Sequence, residues 1–160
     1  MIVSVTANTS MDYIVFIKQL IKDATIRATQ MVESIGGKPT DAAWILGELG
    51  VPSYALGFSA GMNGERIKGF LHDKGVTTDF TPVGGESRRN LILISEEGWQ
   101  TPITTNSLIV SPEHLATLRE KYIAALETAT LVILGGTLPH GMTADSVSYT
   151  HLTLPTNREV

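Results

Sequence analysis

The sequence contains no cysteine, no long apolar run and no excess of positive charge, and each absence excludes a class of function. Without cysteine there are no disulfide bonds, thiolate nucleophiles or cysteine-ligated zinc sites. No apolar run approaches the roughly 18 residues of a membrane-spanning helix, and the amino terminus lacks a basic-then-apolar signal layout. Twelve basic against 16 acidic residues give a net charge of −4. We therefore expect a cytoplasmic protein that binds neither nucleic acid nor a membrane.

The 160 residues, 42% hydrophobic and 18% charged, are typical of one globular domain or part of a larger one. Short apolar strands alternate with amphipathic helices, which predicts an α/β fold with a parallel sheet covered by helices. The predicted strands of this sheet are 1–7, 53–56, 78–83 and 131–134. Helices are predicted before Gly50, at 65–74 and after Ser111. Their predicted buried stripes are Ala42, Ile45, Leu46 and Leu49 in the first helix, and Leu115, Leu118, Tyr122 and Leu126 in the third.

Two segments with polar faces do not fit that sheet. Residues 13–17 and 26–34 read as strands, and 88–95 with 99–104 flank Glu96-Glu97-Gly98, a hairpin signature. We predict that the excursions 13–34 and 88–104 form a small separate sheet.

The turn Gly36-Gly37-Lys38 at the mouth of the first helix has the features of a phosphate site. Glycines allow close backbone approach, free N–H groups at a helix start attract anions, and Lys38 adds a full charge. The turn is not a Walker A loop, because the G-x-x-x-x-G-K-[ST] pattern is absent. A tight strand-to-helix turn that binds nothing explains the same residues about as well.

Three further candidates follow or enter predicted strands. Asp12, after the first strand, suits a polyol ligand, although an Asx turn is an alternative. Alternation places Arg88 and Asn90 on one strand face and Arg89 on the other, so only one of the two arginines can serve a site. Alternatively, both arginines are solvated charges that protect a sheet edge. Gly136 and Thr137 follow the last apolar strand, at the carboxyl end where open α/β sheets bind ligands. A plain turn that binds nothing is the alternative. The four histidines show no metal-ligand spacing.

Five ordered blocks together resemble the amino-terminal half of the PfkB carbohydrate kinases. They are TANTSMD (6–12), GGKPTDAAWILGELG (36–50), LGFSAGMNGERI (56–67), GESRRNLIL (85–93) and LGGTLPHGM (134–142). The branch they resemble most includes 1-phosphofructokinase and tagatose-6-phosphate kinase. The resemblance implies a ribokinase-like α/β parallel-sheet sandwich with a small β lid near 13–34 and 88–104. It also implies ATP and Mg²⁺ as cofactors of the intact parent, a sugar phosphate as acceptor, and a homodimer formed through the lid.

The resemblance also assigns roles by position. Asp12 would hold sugar hydroxyls, Gly36, Gly37 and Lys38 would line the sugar-phosphate pocket, and Arg88 would bind the substrate's phosphate with Asn90 beside it. Gly136 and Thr137 would close the site near the acceptor.

Two departures from the family pattern affect these expectations. Pro39 stands where the family turn has a third glycine, and Asp41 where it has asparagine, so Asp41 accepts hydrogen bonds but repels a phosphate while ionised. An unphosphorylated or unusual sugar is therefore an alternative substrate. Asp41 is also explained as an acidic residue that stabilises the first turn of a helix and binds nothing.

The chain also lacks motifs that the family carries in its second half. The catalytic Gly-Ala-Gly-Asp and the magnesium-linked Asn-x-x-Glu do not occur. We expect residues 1–147 to be the amino-terminal part of a kinase domain, without kinase activity and without good ATP or Mg²⁺ binding. Residues 148–160, where helical periodicity disappears, are expected to be a non-native tail. A complete, non-catalytic sugar-binding module and a nucleoside kinase are the alternatives.

Overall fold

A computed structural model describes residues 1–146, which form two sheets and three principal helices. Residues 147–160, including the segment expected to be a non-native tail, lie outside the described residues. Among the described residues, no helix is both long and apolar enough to cross a membrane.

The main sheet is parallel throughout, as the alternation of strands and helices predicted. Its principal strands run in the order β5-β4-β1-β9, with β6 pairing the far end of β4. The uncharged strand β1 is central, since it pairs with β4 on one side and β9 on the other. The strands are β1 (Ile2–Thr6), β4 (Ser53–Ser59), β5 (Thr77–Thr78), β6 (Thr81–Pro82) and β9 (Leu131–Gly135).

Helices pack on the two faces of this sheet and divide the core into two clusters. On one face, helix α3 (Pro112–Leu126) buries Leu118 and Tyr122 against β1 and β4. On the other, α1 (Lys38–Glu48) and α2 (Gly61–His72) surround a cluster that includes Ala43 and Ile67. The helix predicted after Ser111 is confirmed, and Ser111 caps it, because Ser111 Oγ accepts from the His114 backbone N–H.

The buried stripe predicted for α1 is wrong. Ile45 and Leu49 are 55% and 71% exposed, whereas Pro39, Thr40 and Ala43 are buried. The helix lies so close to its neighbours that a Cβ on Gly47 would collide with the Lys74 carbonyl. Small side chains fit such a close approach, so Ile45 and Leu49 face outward, whereas Trp44 and Leu46 are half-buried.

The second sheet joins the two polar-faced excursions and confirms that prediction. Its order is β3-β2-β7-β8, where β2 is antiparallel to β3 and parallel to β7, and β7 and β8 form the predicted hairpin. We call it the lid sheet. Its strands are β2 (Ser10–Ile17), β3 (Ala28–Gly36), β7 (Arg88–Ser95) and β8 (Gln100–Thr104).

Three predicted boundaries were wrong. The strand predicted at 13–17 already begins at Ser10, where side chains bond across to β7. The strand predicted at 53–56 continues to Ser59, and the helix predicted at 65–74 already begins at Gly61, where a Glu86 carboxylate accepts from the first N–H groups of that helix. The strand predicted at 78–83 is two short pairings.

Candidate functional site

The base of the lid sheet carries a closely bonded polar group formed by Ser10, Asp12, Asn90 and Gly36. Strand register sets Asp12 beside Asn90 and Ser10 beside Gly36. Asp12 Oδ1 accepts from Ser10 Oγ at 2.7 Å and from Asn90 Nδ2 at 2.8 Å. A Cβ on Gly36 would collide with Ser10 Oγ and both Asp12 carboxylate oxygens. Only glycine therefore leaves room for the Asp12 carboxylate, which lies in a strand and not in an Asx turn.

A second polar group links the lid sheet to the main sheet through Asn8, which is 1% exposed. Its Nδ2 donates to Ser107 Oγ at 2.9 Å and to Thr137 Oγ1 at 3.0 Å. Its backbone carbonyl accepts from Arg88 Nη2 at 3.4 Å. Asn8 thus holds together Arg88 and Thr137, two predicted site residues that are 49 positions apart in the sequence.

Arg88 is half-buried in β7, an internal strand of the lid sheet, while Arg89 is exposed. The predicted alternation of the two arginines is confirmed, and the reading of Arg88 as a solvated edge charge is excluded. Within residues 1–146 Arg88 has no carboxylate partner, which leaves its charge available to a bound anion.

Three buried polar atoms of these two groups lack hydrogen-bond partners. They are the Arg88 Nε donor and the Asn8 and Asn90 Oδ1 acceptors. Buried polar atoms are normally bonded, and leaving one unpaired costs about 1–3 kcal/mol. A ligand with anionic oxygens that accept from Arg88 Nε, and with hydroxyl groups that donate to the two asparagine oxygens, would satisfy all three atoms.

The turn before α1 lies at the carboxyl end of β1, the strand that Asn8 follows. Gly37 has φ +114°, and Thr40 Oγ1 donates to Thr6 Oγ1 at 2.7 Å, which ties the first turn of α1 to the end of β1. No side chain caps the α1 amino terminus and Pro39 has no N–H, so the backbone N–H groups of Lys38 and Thr40 are those without a side-chain acceptor. Lys38 is exposed and makes no ion pair or hydrogen bond in the described part of the chain, so the structure does not bring its ammonium onto the two polar groups.

The first turn of α1 also carries Asp41, whose backbone N–H donates to Gly37 O at 2.8 Å. Burial, together with the nearby negative charge of Asp12, raises the pKa of Asp41 to about 6. Asp41 therefore carries a proton in mildly acidic solution.

Gly136 follows β9 with φ +93°, and a Cβ added there would meet open space, so this glycine turns the chain. The preceding Gly135 lies against Pro39, because an added Cβ would be 3.8 Å from Pro39 Cγ. The turn is thus adjacent to the amino terminus of α1.

A separate apolar groove of about 390 Å³ lies between α3 and β9 and is lined by Tyr122, Leu134 and Met142 among others. It offers few polar groups, and it reaches the candidate residues only at Gly136, which is part of its lining. Residues 1–146 contain no group of three or more histidine, aspartate or glutamate side chains that could hold a metal ion.

Sequence reasoning missed Asn8, Ser10, Thr6 and Ser107. Asn8 and Ser10 lie in a short polar run that is also typical of a turn, although both follow a central parallel strand, where ligand-binding side chains collect. Nothing in the local sequence of Thr6 or Ser107 distinguishes them, since each partner lies 30 or more residues away.

A parallel sheet covered by helices, with a lid sheet whose base holds the polar groups, defines a ribokinase-like carbohydrate kinase fold. The chain belongs to the pfkB family of carbohydrate kinases, whose family model, pfkB family carbohydrate kinase, matches residues 2–153.

Among similar proteins, 1-phosphofructokinase of Bacillus subtilis is 32% identical over 146 residues, covering 91% of this chain and 47% of that protein. D-tagatose-1-phosphate kinase of Bacillus licheniformis is 29% identical and covers 91% of this chain and 47% of that protein. The crystal structure of a possible 1-phosphofructokinase of Thermotoga maritima matches with a TM-score of 0.87 at 26% identity, covering 93% of this chain and 48% of that one. The chain therefore spans about half the length of these relatives.

Proposed function

We propose that this chain is the acceptor-binding part of an ATP-dependent kinase that phosphorylates a hydroxyl of a phosphorylated ketose, as 1-phosphofructokinase does. The observation that carries the proposal is the set of unpaired buried atoms on Arg88, Asn8 and Asn90 beside the Asp12 carboxylate. Its support from comparison is the family match and the 1-phosphofructokinase relative.

The chemistry of a sugar phosphate fits these atoms in two parts. The phosphate oxygens accept from the arginine guanidinium, from the open N–H groups of α1 and from the ammonium of Lys38. The sugar hydroxyls donate to Asp12 and to the asparagine oxygens. Gly36 and Gly37 leave space at the pocket wall, and the turn at Gly136 and Thr137 closes the acceptor side. In this proposal the lid segments near 13–34 and 88–104 cover the bound sugar.

We further propose that the chain alone does not transfer phosphate. Phosphoryl transfer requires a positioned base, neutralising cations and a nucleotide held in line. The Gly-Ala-Gly-Asp and Asn-x-x-Glu motifs that the family resemblance associates with those roles do not occur in the sequence. ATP and Mg²⁺ then belong to a longer parent, of which residues 1–147 form one part.

Calorimetric titration of the chain with fructose 1-phosphate, tagatose 6-phosphate and free fructose tests the substrate class. We expect saturable one-to-one binding of at least one sugar phosphate, much weaker binding of fructose, and no ATP consumption in a coupled assay. Preference for free fructose would refute the phosphorylated acceptor, and turnover would refute the proposed inactivity.

One observation favours a second candidate function, in which the chain is the acceptor-binding part of a kinase whose substrate is an unphosphorylated sugar. Asp41 adds a carboxyl beside Asp12 at the proposed phosphate end, and a charged carboxyl disfavours a nearby phosphate. Fructose binding that equals fructose 1-phosphate binding across the pH range would support this candidate.

A further inference from the structure

The polar site contains the carboxyl groups of Asp12 and Asp41, and the phosphate of the proposed substrate would add a third negatively charged group. Asp12 is fixed as a hydrogen-bond acceptor, because Ser10 and Asn90 both donate to its Oδ1. Asp41 lies in the first turn of α1 and its backbone N–H donates to the carbonyl of Gly37, which directly follows the Gly36 that lies against the Asp12 carboxylate. The carboxyl of Asp41 has no hydrogen-bond partner within the described residues, so it is free to change its protonation state.

The surrounding charges leave this carboxylate pair largely uncompensated. Helix α1 packs against β1, β3, β4, β9 and α2, and neither β1 nor β9 carries an ionisable side chain. The ionisable side chains on the other elements and elsewhere on α1 are already bonded: Glu33 to Arg66, Glu65 to Lys68, Glu48 to Lys74, Tyr54 to Asp79 and His72 to Thr78. Lys38 and Arg88 are the cations that remain for the site, and a bound phosphate dianion would use both.

Resting on the proposed function, we propose that Asp41 is a neutral carboxylic acid in the sugar-phosphate complex, so that binding takes up one proton from solvent. The proton adds to the Asp41 carboxylate and no other bond forms or breaks. Neutral Asp41 no longer repels the phosphate, and its O–H becomes a donor where an ionised carboxylate can only accept. Asp41 is thus a specificity-determining residue that couples acceptor affinity to pH.

Free Asp41 has a pKa of about 6, raised by burial and by Asp12, so it is almost fully ionised near pH 8. Sugar phosphates, with a second pKa near 6, are dianions at the same pH. Proton uptake measured there belongs to the protein and not to the ligand. We expect about one proton per bound fructose 1-phosphate at pH 8, and an affinity that weakens about ninefold between pH 7 and pH 8.

The experiment is calorimetric titration of the full chain with fructose 1-phosphate in Tris and in HEPES at matched pH. The difference in observed enthalpy between the buffers gives the number of protons taken up. The Asp41→Asn variant keeps the side-chain shape and supplies an amide donor, so it should bind without proton uptake and without the ninefold change. Asp73→Asn, at an exposed position after α2, is the matched control and should behave as wild type.

The outcomes separate the inference from the function on which it rests. Binding without proton uptake at pH 8, or uptake that persists in Asp41→Asn, overturns the inference and leaves the proposed function standing. Absence of sugar-phosphate binding at every pH overturns both. If Asp41→Asn does not fold, a carboxyl carbon-13 titration of wild type with and without fructose 1-phosphate decides: Asp41 must stay protonated near pH 8 in the complex, and ionisation there refutes the inference.

Discussion

Replacing Gly36 by alanine measures how tightly the lid sheet encloses the Asp12 carboxylate. Gly36 ends β3 with a φ outside the left-handed region, so alanine meets no backbone strain there. Its Cβ would instead collide with Ser10 Oγ and with both Asp12 carboxylate oxygens. Any effect of the substitution is therefore steric and reports on this one group of side chains.

Relieving the collision requires moving two short side chains that are bonded to each other and to Asn90. The bonds at risk are Ser10 to Asp12 at 2.7 Å and Asn90 to each of them at 2.9 and 2.8 Å. Overfilling a packed site lowers the free energy of unfolding by about 1–3 kcal/mol. The loss of one hydrogen bond lowers it by about 0.5–1.5 kcal/mol. We expect Gly36→Ala to lower the free energy of unfolding by about 1–3 kcal/mol. Because Asp12 is displaced, fructose 1-phosphate affinity should fall about tenfold or more.

Urea unfolding followed by far-ultraviolet circular dichroism measures the stability change. The matched control is Gly69→Ala in α2, an exposed helical position where an added Cβ has no contact within 4 Å. Alanine is the better helix former, so this control should stabilise the chain by about 0.5–1 kcal/mol. Equal unfolding midpoints for Gly36→Ala and wild type would show that the carboxylate is not held against Gly36, and would refute this reasoning.

Three further substitutions test separate steps. Arg88→Lys keeps the charge but loses the guanidinium fork, so calorimetry should show about tenfold weaker fructose 1-phosphate binding and unchanged fructose binding; an equal loss for both would contradict a phosphate role. A raised pKa in the folded state means that wild type loses stability as pH rises from about 4 to about 6. Asp41→Asn should therefore be more stable in urea at pH 8 by on the order of 1 kcal/mol, discounted for its half-exposed position, and no more stable below pH 4. Ser111→Ala removes the α3 cap and should cost about 1 kcal/mol in thermal unfolding; an unchanged melting temperature would mean that the cap contributes nothing.

Periodicity predicted those parts of the fold and site that depend on local geometry. The pleat of a strand places alternate residues on one face, which is why Arg88 and Asn90 were assigned together and Arg89 apart. The alternation of short apolar strands with amphipathic helices likewise indicated a parallel sheet covered by helices. These features follow from neighbours one to four residues away and need no knowledge of tertiary contacts.

Features that depend on distant contacts were not predictable. Asn8 was missed because its partners, Ser107 and Thr137, are 99 and 129 positions away. The wrong stripe on α1 has a related cause, since hydrophobicity favoured Ile45 and Leu49 while close helix packing selected small residues such as Ala43. The start of α2 was misplaced because its amino terminus is stabilised by Glu86, from a loop more than 20 residues later.

A crystal structure of this chain with fructose 1-phosphate tests the central claim most directly. The account predicts one bound molecule, with a phosphate oxygen about 3 Å from Arg88 Nε and sugar hydroxyls donating to Asp12 and to the Asn8 or Asn90 amide oxygen. A sugar phosphate bound elsewhere, with Arg88 Nε still unpaired, would contradict the assignment of this site to the phosphorylated acceptor.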